Sequence, residues 1–373
     1  MPLSAFTKTA VDRRSFLRIS GTGALAIAGA SILAACSTDS KASSTTSSSG
    51  SKKADYGTIA VQLSWIKNIE FAGEYFATDK GYYKDAGFSA VNLLAGGGQT
   101  TAEEAVTSGQ ALVGLSSPSI TGPAVAQGAP LKIIGSTYQK NPFCLMSLAE
   151  KTPIKTVDDM KGKRIGVQSG GNQTIFEGFL KANGLTDKDV ELVATQYDIA
   201  PLEAGKYDAH MSYVSNEPIL AKKDGYTPVL LELAENGLPF VAETFTVLQD
   251  TIDNKRDLLK AFLKAEIQGW TDAVKSPADS ATKAVTVYGK DQKLEQTEQT
   301  SEATAQNTLI LTDDVNTNGL FTMTKDLIGA NIKALGVMGT TLTADKLFDL
   351  SLLDEVYKEN PDLKVQFTIP AAS

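Results

Sequence analysis

Six aromatic side chains, Trp65, Phe71, Tyr75, Phe76, Tyr82 and Tyr83, crowd around two acids, Glu70 and Glu74, in the stretch LSWIKNIEFAGEYFATDKGYYKDAG (residues 63–87). Aromatic residues make up only 7% of the chain, so this concentration needs a reason. Phe71, Tyr75 and Phe76 fall at helical spacing with Ala72 and Ala77, and Tyr82-Tyr83 close that helix. Phe76, Tyr82 and Tyr83 therefore read as core. Trp65, Asn68 and Phe71 occupy the turn after the first strand-like run, where a tryptophan can stack on a flat ring. Stacking of a base on an aromatic side chain contributes about 1–3 kcal/mol.

Other groups with chemical potential lie further along. Ser169-Gly170-Gly171-Asn172-Gln173 opens a helix with two glycines, leaving free N–H groups that suit a phosphate, carboxylate or sulfonate. Gly96-Gly97-Gly98-Gln99 forms a similar turn. Glu217, next to Asn216, follows a strand-like run and precedes a helix, a position the helix macrodipole alone would favour for an acid. Ser117 and Tyr213 each end a strand-like run. His210, in Ala-His-Met-Ser-Tyr, reads as a buried strand residue, Cys144 as a small core hydrophobe and Trp270 as packing on an amphipathic helix. One histidine in the whole chain removes most metal sites and nearly every histidine-based nucleophile arrangement. No H-E-x-x-H, Walker A or G-x-S-x-G sequence is present, so no cofactor or metal is expected.

The N-terminus has a different task. Arg13-Arg14-Ser15-Phe16-Leu17 is a twin-arginine pattern, and Gly21 to Ala35 is an uncharged run of small and apolar residues too short to span a bilayer comfortably. It ends in Leu33-Ala34-Ala35-Cys36, which resembles the lipobox of bacterial lipoproteins. Residues 1–35 thus read as a signal peptide, Cys36 as the lipidation site and residues 36–55 as a lipidated tether. The Ser/Thr/Lys tract Ser37–Ala54 buries too little surface to order itself and reaches roughly 20–25 Å. Lipidation of Cys36 leaves Cys144 without a disulfide partner. Residues 1–35 carry four basic and one acidic residue, so the formal charge moves from −8 to −11 on their removal. Such a surface repels nucleic acid.

The elements that must position these groups can be read from periodicity. Strand-like runs are Thr58–Leu63, Ala90–Leu94, Ala111–Leu115, Leu131–Thr137, Phe143–Leu148, Arg164–Val167, Val190–Ala194, Tyr207–Tyr213, Thr227–Leu231 and Glu243–Leu248. Helical patterns lie between them, which implies parallel sheets covered on both faces, an α/β architecture. Beyond Asp250 the pattern is almost all helix: Asp257–Val274, Asp279–Val287, Thr322–Leu335 and Leu347–Tyr357. The 318 residues from Tyr56 on exceed one core, so two lobes are expected. The crossings fall at Gly135–Phe143 and near Phe240–Thr246. One lobe is then residues 56–140 with 247–373, mainly helical in its second part, and the other residues 141–246. A cleft between two such lobes is the expected ligand site, with Tyr138, Gln139 and Asn141 at the first crossing.

Three stretches carry a family likeness: LSWIKNIEFAGEYFATDKGYYKDAGF, DDMKGKRIGVQSGG and YVSNEPILAKKDGY. With the helical last third they make residues 56–360 resemble the ABC-transporter substrate-binding proteins of the nitrate/sulfonate/taurine and thiamine-pyrimidine-precursor class. The resemblance implies a two-lobe periplasmic-binding-protein-like fold (type II) with the ligand cleft between lobes. It implies a monomer on the outer face of the cytoplasmic membrane, held there only by its N-terminal lipid and exported by the twin-arginine route. The implied function is to close over a small-molecule ligand and present it to an ABC permease and its ATPase, without catalysis. In this fold the turn holding Trp65 opens at the cleft, and Glu217 resembles the glutamate that accepts hydrogen bonds from a ring amine. The implied ligand set is Trp65, Asn68, Phe71, Gln99, Ser117, Tyr138, Asn141, Ser169, Gly170, Gly171, Asn172, Tyr213, Asn216 and Glu217. An aminopyrimidine thiamine precursor is the favoured ligand. The Phe71-Ala72-Gly73 turn is reminiscent of riboflavin-type receptors, while sulfonates, taurine and nitrate offer Trp65 no ring. A pyrimidine-synthesising enzyme of the same fold is a further alternative, but the cysteine-rich segment such enzymes use is missing here.

Overall fold

A computed structural model of the 373-residue chain describes residues 54–97 and 100–370. The twin-arginine run, Cys36 and the Ser/Thr tract lie outside the described residues, as do Gly98 and Gln99. Ten strands form among the described residues: β1 (Gly57–Gln62), β2 (Phe88–Leu94), β3 (Val113–Ser116), β4 (Leu131–Tyr138), β5 (Phe143–Leu148), β6 (Arg164–Gln168), β7 (Glu191–Thr195), β8 (Ala209–Tyr213), β9 (Pro228–Glu232) and β10 (Ala242–Leu248). They build two five-stranded sheets, in the orders β2-β1-β3-β10-β4 and β7-β6-β8-β5-β9. The chain passes from the first sheet to the second between Tyr138 and Phe143 and returns between Glu232 and Ala242.

Neither sheet is purely parallel, contrary to the expectation from strand–helix alternation. The pairs β1–β2, β1–β3, β6–β7 and β6–β8 are parallel. The crossing strands differ: β10 runs antiparallel to β3 and β4, and β5 antiparallel to β8 and β9. A strand that enters from the other sheet has no helical crossover to bring it round in the same direction, so it lies antiparallel. At Glu243 the backbone takes φ 51°, an uncommon left-handed conformation for a residue with a side chain. The β10–β4 register shifts immediately afterwards, between Thr244 and Thr246.

The first sheet's core is closed by the helix Arg256–Lys275, whose Leu259, Phe262, Leu263, Ile267 and Trp270 are buried. This helix meets the helix Ala72–Asp79 at bare backbone. A Cβ on Gly73 would lie 2.1 Å from the Trp270 ring, and one on Gly269 would lie 2.2 Å from the Gly73 carbonyl oxygen. The glycine of the Phe71-Ala72-Gly73 turn thus serves close helix packing. Around the second sheet, Phe176 and Phe179 of the helix Gly171–Ala182 share a core with Ala334, Leu335 and Met338 of the helix Lys325–Met338. No helix among the described residues is long and apolar enough to cross a membrane.

Candidate functional site

The strand ends and turns of both sheets converge on one cavity of about 880 Å³, counted to its open mouth. From the first sheet and its turns come Ser64, Trp65, Glu70, Glu103, Ser117 and Glu243; from the second come Phe143, Gln168, Asn172, Tyr213, Asn216 and Glu217. Ser169, Gly171 and Ser212 complete much of the second wall.

Local structure explains how each group is aimed. Trp65 is half-buried in the turn after β1, and its carbonyl accepts from the Gly96 N–H at 2.8 Å. A Cβ on Gly96 would lie 2.3 Å from the Leu63 carbonyl oxygen, and one on Gly97 3.4 Å from the Trp65 ring. These two glycines let the chain pass tightly behind the tryptophan. On the second wall, Gly170 caps the helix Gly171–Ala182 with φ 85°, a conformation that favours glycine. Tyr213 lies edge-on to Phe143, ring centres 4.6 Å apart, giving the cavity an aromatic corner opposite Trp65.

Four carboxyl groups line this space, and no lysine, arginine or histidine among the described residues lines it with them. Glu103 Oε1 accepts from the Ser116 hydroxyl at 2.5 Å and from the Thr121 hydroxyl at 2.6 Å. Glu217 Oε2 accepts from the Tyr213 N–H at 2.8 Å, and Glu217 begins a helix. Glu243 Oε2 accepts from the Ser64 hydroxyl at 2.7 Å and its Oε1 from the Tyr213 hydroxyl at 3.3 Å. The hydrogen bond from Ser64 to Glu243 ties the β1 turn to the crossing strand. Glu70 accepts from the Asn68 amide at Oε1, 2.9 Å, while its buried Oε2 has no partner.

Burial without cations makes three of these acids, Glu70, Glu217 and Glu243, weak. Burial pushes Glu217 and Glu243 each up to about 7. Burial, reinforced by the neighbouring Glu243 carboxyl, holds Glu70 well above the ordinary carboxylate range. The second wall answers with neutral groups of fixed polarity. Gln168 Nε2 donates to the Met211 carbonyl at 3.0 Å and lies 3.0 Å from His210 Nε2, while Gln168 Oε1 accepts from Asn172 Nδ2 at 3.0 Å. Burial lowers His210 to about 4, so the ring is neutral at pH 7.

Of the residues expected from sequence, Trp65, Ser117, Ser169, Gly171, Asn172, Tyr213, Asn216 and Glu217 line the cavity. Gln99 is outside the described residues, and Gly170 shapes the turn without appearing in the lining. Four others sit elsewhere. Phe71 is fully buried in the core because the short turn Ile69–Phe71 rolls it inward. Asn68 is buried, accepting from the Glu70 N–H at 3.0 Å and donating to its carboxylate, so it orients Glu70 instead of facing the cavity. Tyr138 is buried with its hydroxyl on Gln306 Oε1 at 3.0 Å. Asn141 joins the two crossing segments, donating to the Leu238 carbonyl at 2.6 Å and accepting from the Phe143 N–H at 2.9 Å.

Sequence reasoning passed over Glu70, Glu103, Glu243, Phe143 and Gln168 as site residues. A usable signal existed for Glu243: an acid inside the apolar run Phe240-Val-Ala-Glu-Thr-Phe245 must have a reason to be there. Glu103 and Gln168 carry no comparable mark. Among the described residues no group of three or more acids, histidines or cysteines is arranged to hold a metal ion.

Comparison with known proteins agrees with this fold. The riboflavin-binding protein RibY of Chloroflexus aurantiacus is 27% identical over 229 residues, 60% of this chain and 64% of the relative, so the match takes in less than two thirds of that protein. The alkanesulfonate-binding protein SsuA of Xanthomonas axonopodis pv. citri, solved with MOPS bound, superposes with a TM-score of 0.58 at 15% identity, covering 78% of this chain and 96% of SsuA. The desulfurization enzyme DSZB superposes at 0.52 with 14% identity, covering 81% of this chain and 99% of that one. The same fold, that of the periplasmic binding proteins, thus serves binding and catalysis in different proteins. Residues 68–280, more than half of the chain, match the model of one family, and the chain belongs to that NMT1/THI5-like family.

Proposed function

We propose that this chain is the solute-binding component of an ABC importer, lipid-anchored through Cys36 outside the cytoplasmic membrane. Its ligand is a small, flat, amine-bearing heterocycle of the aminopyrimidine class, held as the two lobes, residues 56–140 with 247–373 and residues 141–246, close over it. The observation that carries this reading is the cavity lining: Trp65, Phe143 and Tyr213 contribute aromatic rings, and Glu70, Glu217 and Glu243 contribute carboxyl groups with no cation beside them among the described residues. An anionic ligand would meet four carboxyl groups and, among the described residues, no lysine, arginine or histidine to supply a counter-charge, which disfavours nitrate and sulfonates. A flavin-type ligand is the second reading, favoured by the kinship with a riboflavin-binding protein.

Calorimetry with the pyrimidine half of thiamine, riboflavin and an alkyl sulfonate tests the ligand class. The expected order is aminopyrimidine first, with sulfonate binding absent; tight sulfonate binding would overturn the reading. Anchoring is tested separately, since Cys36→Ala should move the protein from the membrane to the soluble fraction. Retention of that variant on salt-washed membranes would defeat the lipid anchor.

A further inference from the structure

Asn172 and Glu217 are held in the same manner on neighbouring strands. β6 and β8 are adjacent and parallel, with Gly166 opposite His210, so the helices that follow them start side by side at one sheet edge. Four residues beyond Gln168, the end of β6, Asn172 folds its amide back and donates from Nδ2 to Gln168 Oε1 at 3.0 Å. Four residues beyond Tyr213, the end of β8, Glu217 folds its carboxyl back, and Oε2 accepts from the Tyr213 N–H at 2.8 Å. Each side chain commits one polar atom to its own strand end and leaves a second, Asn172 Oδ1 and Glu217 Oε1.

The direction of the Asn172 amide is fixed from behind. Gln168 Nε2 lies 3.0 Å from the Met211 carbonyl and 3.4 Å from the Gln196 carbonyl. Carbonyls only accept, so the Gln168 nitrogen faces them and its oxygen faces the start of the helix Gly171–Ala182. That oxygen admits only the donor end of Asn172, which turns Oδ1 away from the strand. A flipped Asn172 would set oxygen against oxygen.

Both residues line the cavity. Neither Asn172 Oδ1 nor Glu217 Oε1 takes a hydrogen bond from another residue, and neither is among the polar atoms sealed away without a partner. The other carboxyl groups differ. Glu70 and Glu103 each have their second oxygen sealed, and Glu243 has a hydroxyl on each of its oxygens. The second wall thus presents two accessible acceptors, one neutral and one acidic, from strands about 4.7–4.9 Å apart. A planar amino group with both hydrogens bonded at about 2.9 Å holds its two acceptors a similar distance apart, about 5 Å.

We propose that Asn172 Oδ1 is the second acceptor for the ligand's exocyclic amine, taking one of its N–H groups while Glu217 Oε1 takes the other. The pair narrows the ligand class to heterocycles with a primary amine, read at both hydrogens. A ring with a methyl group in place of the amine loses both bonds. Asn172 acts here through its side-chain oxygen, in a role separate from that of the helix N–H groups beside it. The proposal rests on the aminopyrimidine reading given above.

Proton NMR tests it, using the pyrimidine half of thiamine, isotopically labelled at its amine nitrogen and bound to the full chain. Both amine hydrogens should appear in the wild-type complex as separate signals shifted downfield. In Asn172→Ala one of them should return toward its position in the free compound. Calorimetry should show a loss of about three- to tenfold in that variant, the scale of one neutral hydrogen bond. For the analogue with methyl in place of the amine, the same substitution should change affinity by less than about twofold. An equal loss for both compounds would mark Asn172 as merely structural and overturn the proposal. A wild-type complex with only one amine hydrogen shifted would also overturn it, even if the variant does not fold. In both cases the compound is bound and the aminopyrimidine reading stands. If the wild type does not bind the compound, that reading fails and the proposal with it.

Discussion

Two sets of buried glutamates lie near one another in this protein and differ in what can reach them. Glu70, Glu217 and Glu243 border an open cavity, whereas Glu74 and Glu266 are sealed where the helix Ala72–Asp79 meets the helix Arg256–Lys275. Burial raises members of both sets: Glu243 to about 7, Glu266 to about 8, and Glu74, next to Glu266, well above the ordinary range. The difference is access. Glu266 accepts from the buried Tyr83 hydroxyl, and the glycine contact under Trp270 leaves no room for a ligand. A perturbed carboxyl therefore marks a site only where space and donors from other elements meet it.

The largest effect that would sharpen this contrast concerns stability. Glu266 is raised in the folded protein, so between its ordinary range near 4.5 and about 8 the native state holds a proton that the unfolded chain has lost. Its contribution is fully present below that window, and stability falls as pH rises through it, by at most about 1.4 kcal/mol per pH unit. Glu266→Gln keeps an acceptor for Tyr83 and removes the ionisation. Thermal unfolding of wild type and variant should coincide near pH 5 and separate by pH 8, with the variant more stable. A gap that stays constant across this range would show that Glu266 titrates normally and is not sealed.

A somewhat smaller effect belongs to the open set. Glu243→Gln should weaken aminopyrimidine binding by about 1.5–3 kcal/mol, or roughly ten- to a hundred-fold, because one charged acceptor becomes a neutral amide. Glu266→Gln should change the same affinity by less than about twofold, because Glu266 does not line the cavity. Isothermal titration of both variants checks the pair. Equal losses in the two would erase the distinction between open and sealed carboxyls.

Much of this architecture was legible in the sequence, and what escaped did so for physical reasons. Each apolar run that reads as a strand became one, β5 with the expected bounds Phe143–Leu148, because strand periodicity is a local property. Strand direction is not local, and β5 and β10 run against the expectation for that reason. The helix Gln296–Ile310 was invisible to hydrophobic periodicity because most of its buried side chains are polar: Gln299, Glu302, Gln306 and Asn307, beside Ala303, Leu309 and Ile310. Those side chains work as clamps. Gln299 accepts from the Ile69 N–H at 2.9 Å and Gln306 donates to the Ile69 carbonyl at 3.3 Å, which fixes the turn carrying Glu70. Trp65 and Glu217 could be anticipated from turn position and residue type. Glu243 could not be aimed from sequence, because its direction depends on the left-handed backbone at a sheet crossing.

The smallest expected effect tests the neutral side chains of the second wall through His210. The Met211 carbonyl can only accept, so the nitrogen of the Gln168 amide must face it, as observed at 3.0 Å. The same nitrogen lies 3.0 Å from His210 Nε2, which must then accept. A neutral ring that accepts at Nε2 carries its proton on Nδ1 and donates it to the Tyr207 hydroxyl, 2.7 Å away, which in turn can donate to Thr195 Oγ1 at 3.0 Å. The chain of bonds leaves Gln168 Oε1 free to hold Asn172 Nδ2 at the cavity edge. Replacing the ring in His210→Phe leaves a buried amide proton and a buried hydroxyl short of partners, which should cost about 1–3 kcal/mol of stability. Ligand affinity should fall only about two- to fivefold, on the order of 0.5–1 kcal/mol, because Met211 still orients the Gln168 nitrogen. His210→Gln, which can offer an acceptor toward Gln168, should recover most of the affinity and less of the stability. If the phenylalanine variant lost as much affinity as Glu243→Gln, the Gln168–His210 chain would be as decisive for binding as the carboxyl groups, and the division of labour between the neutral and acidic groups would fail.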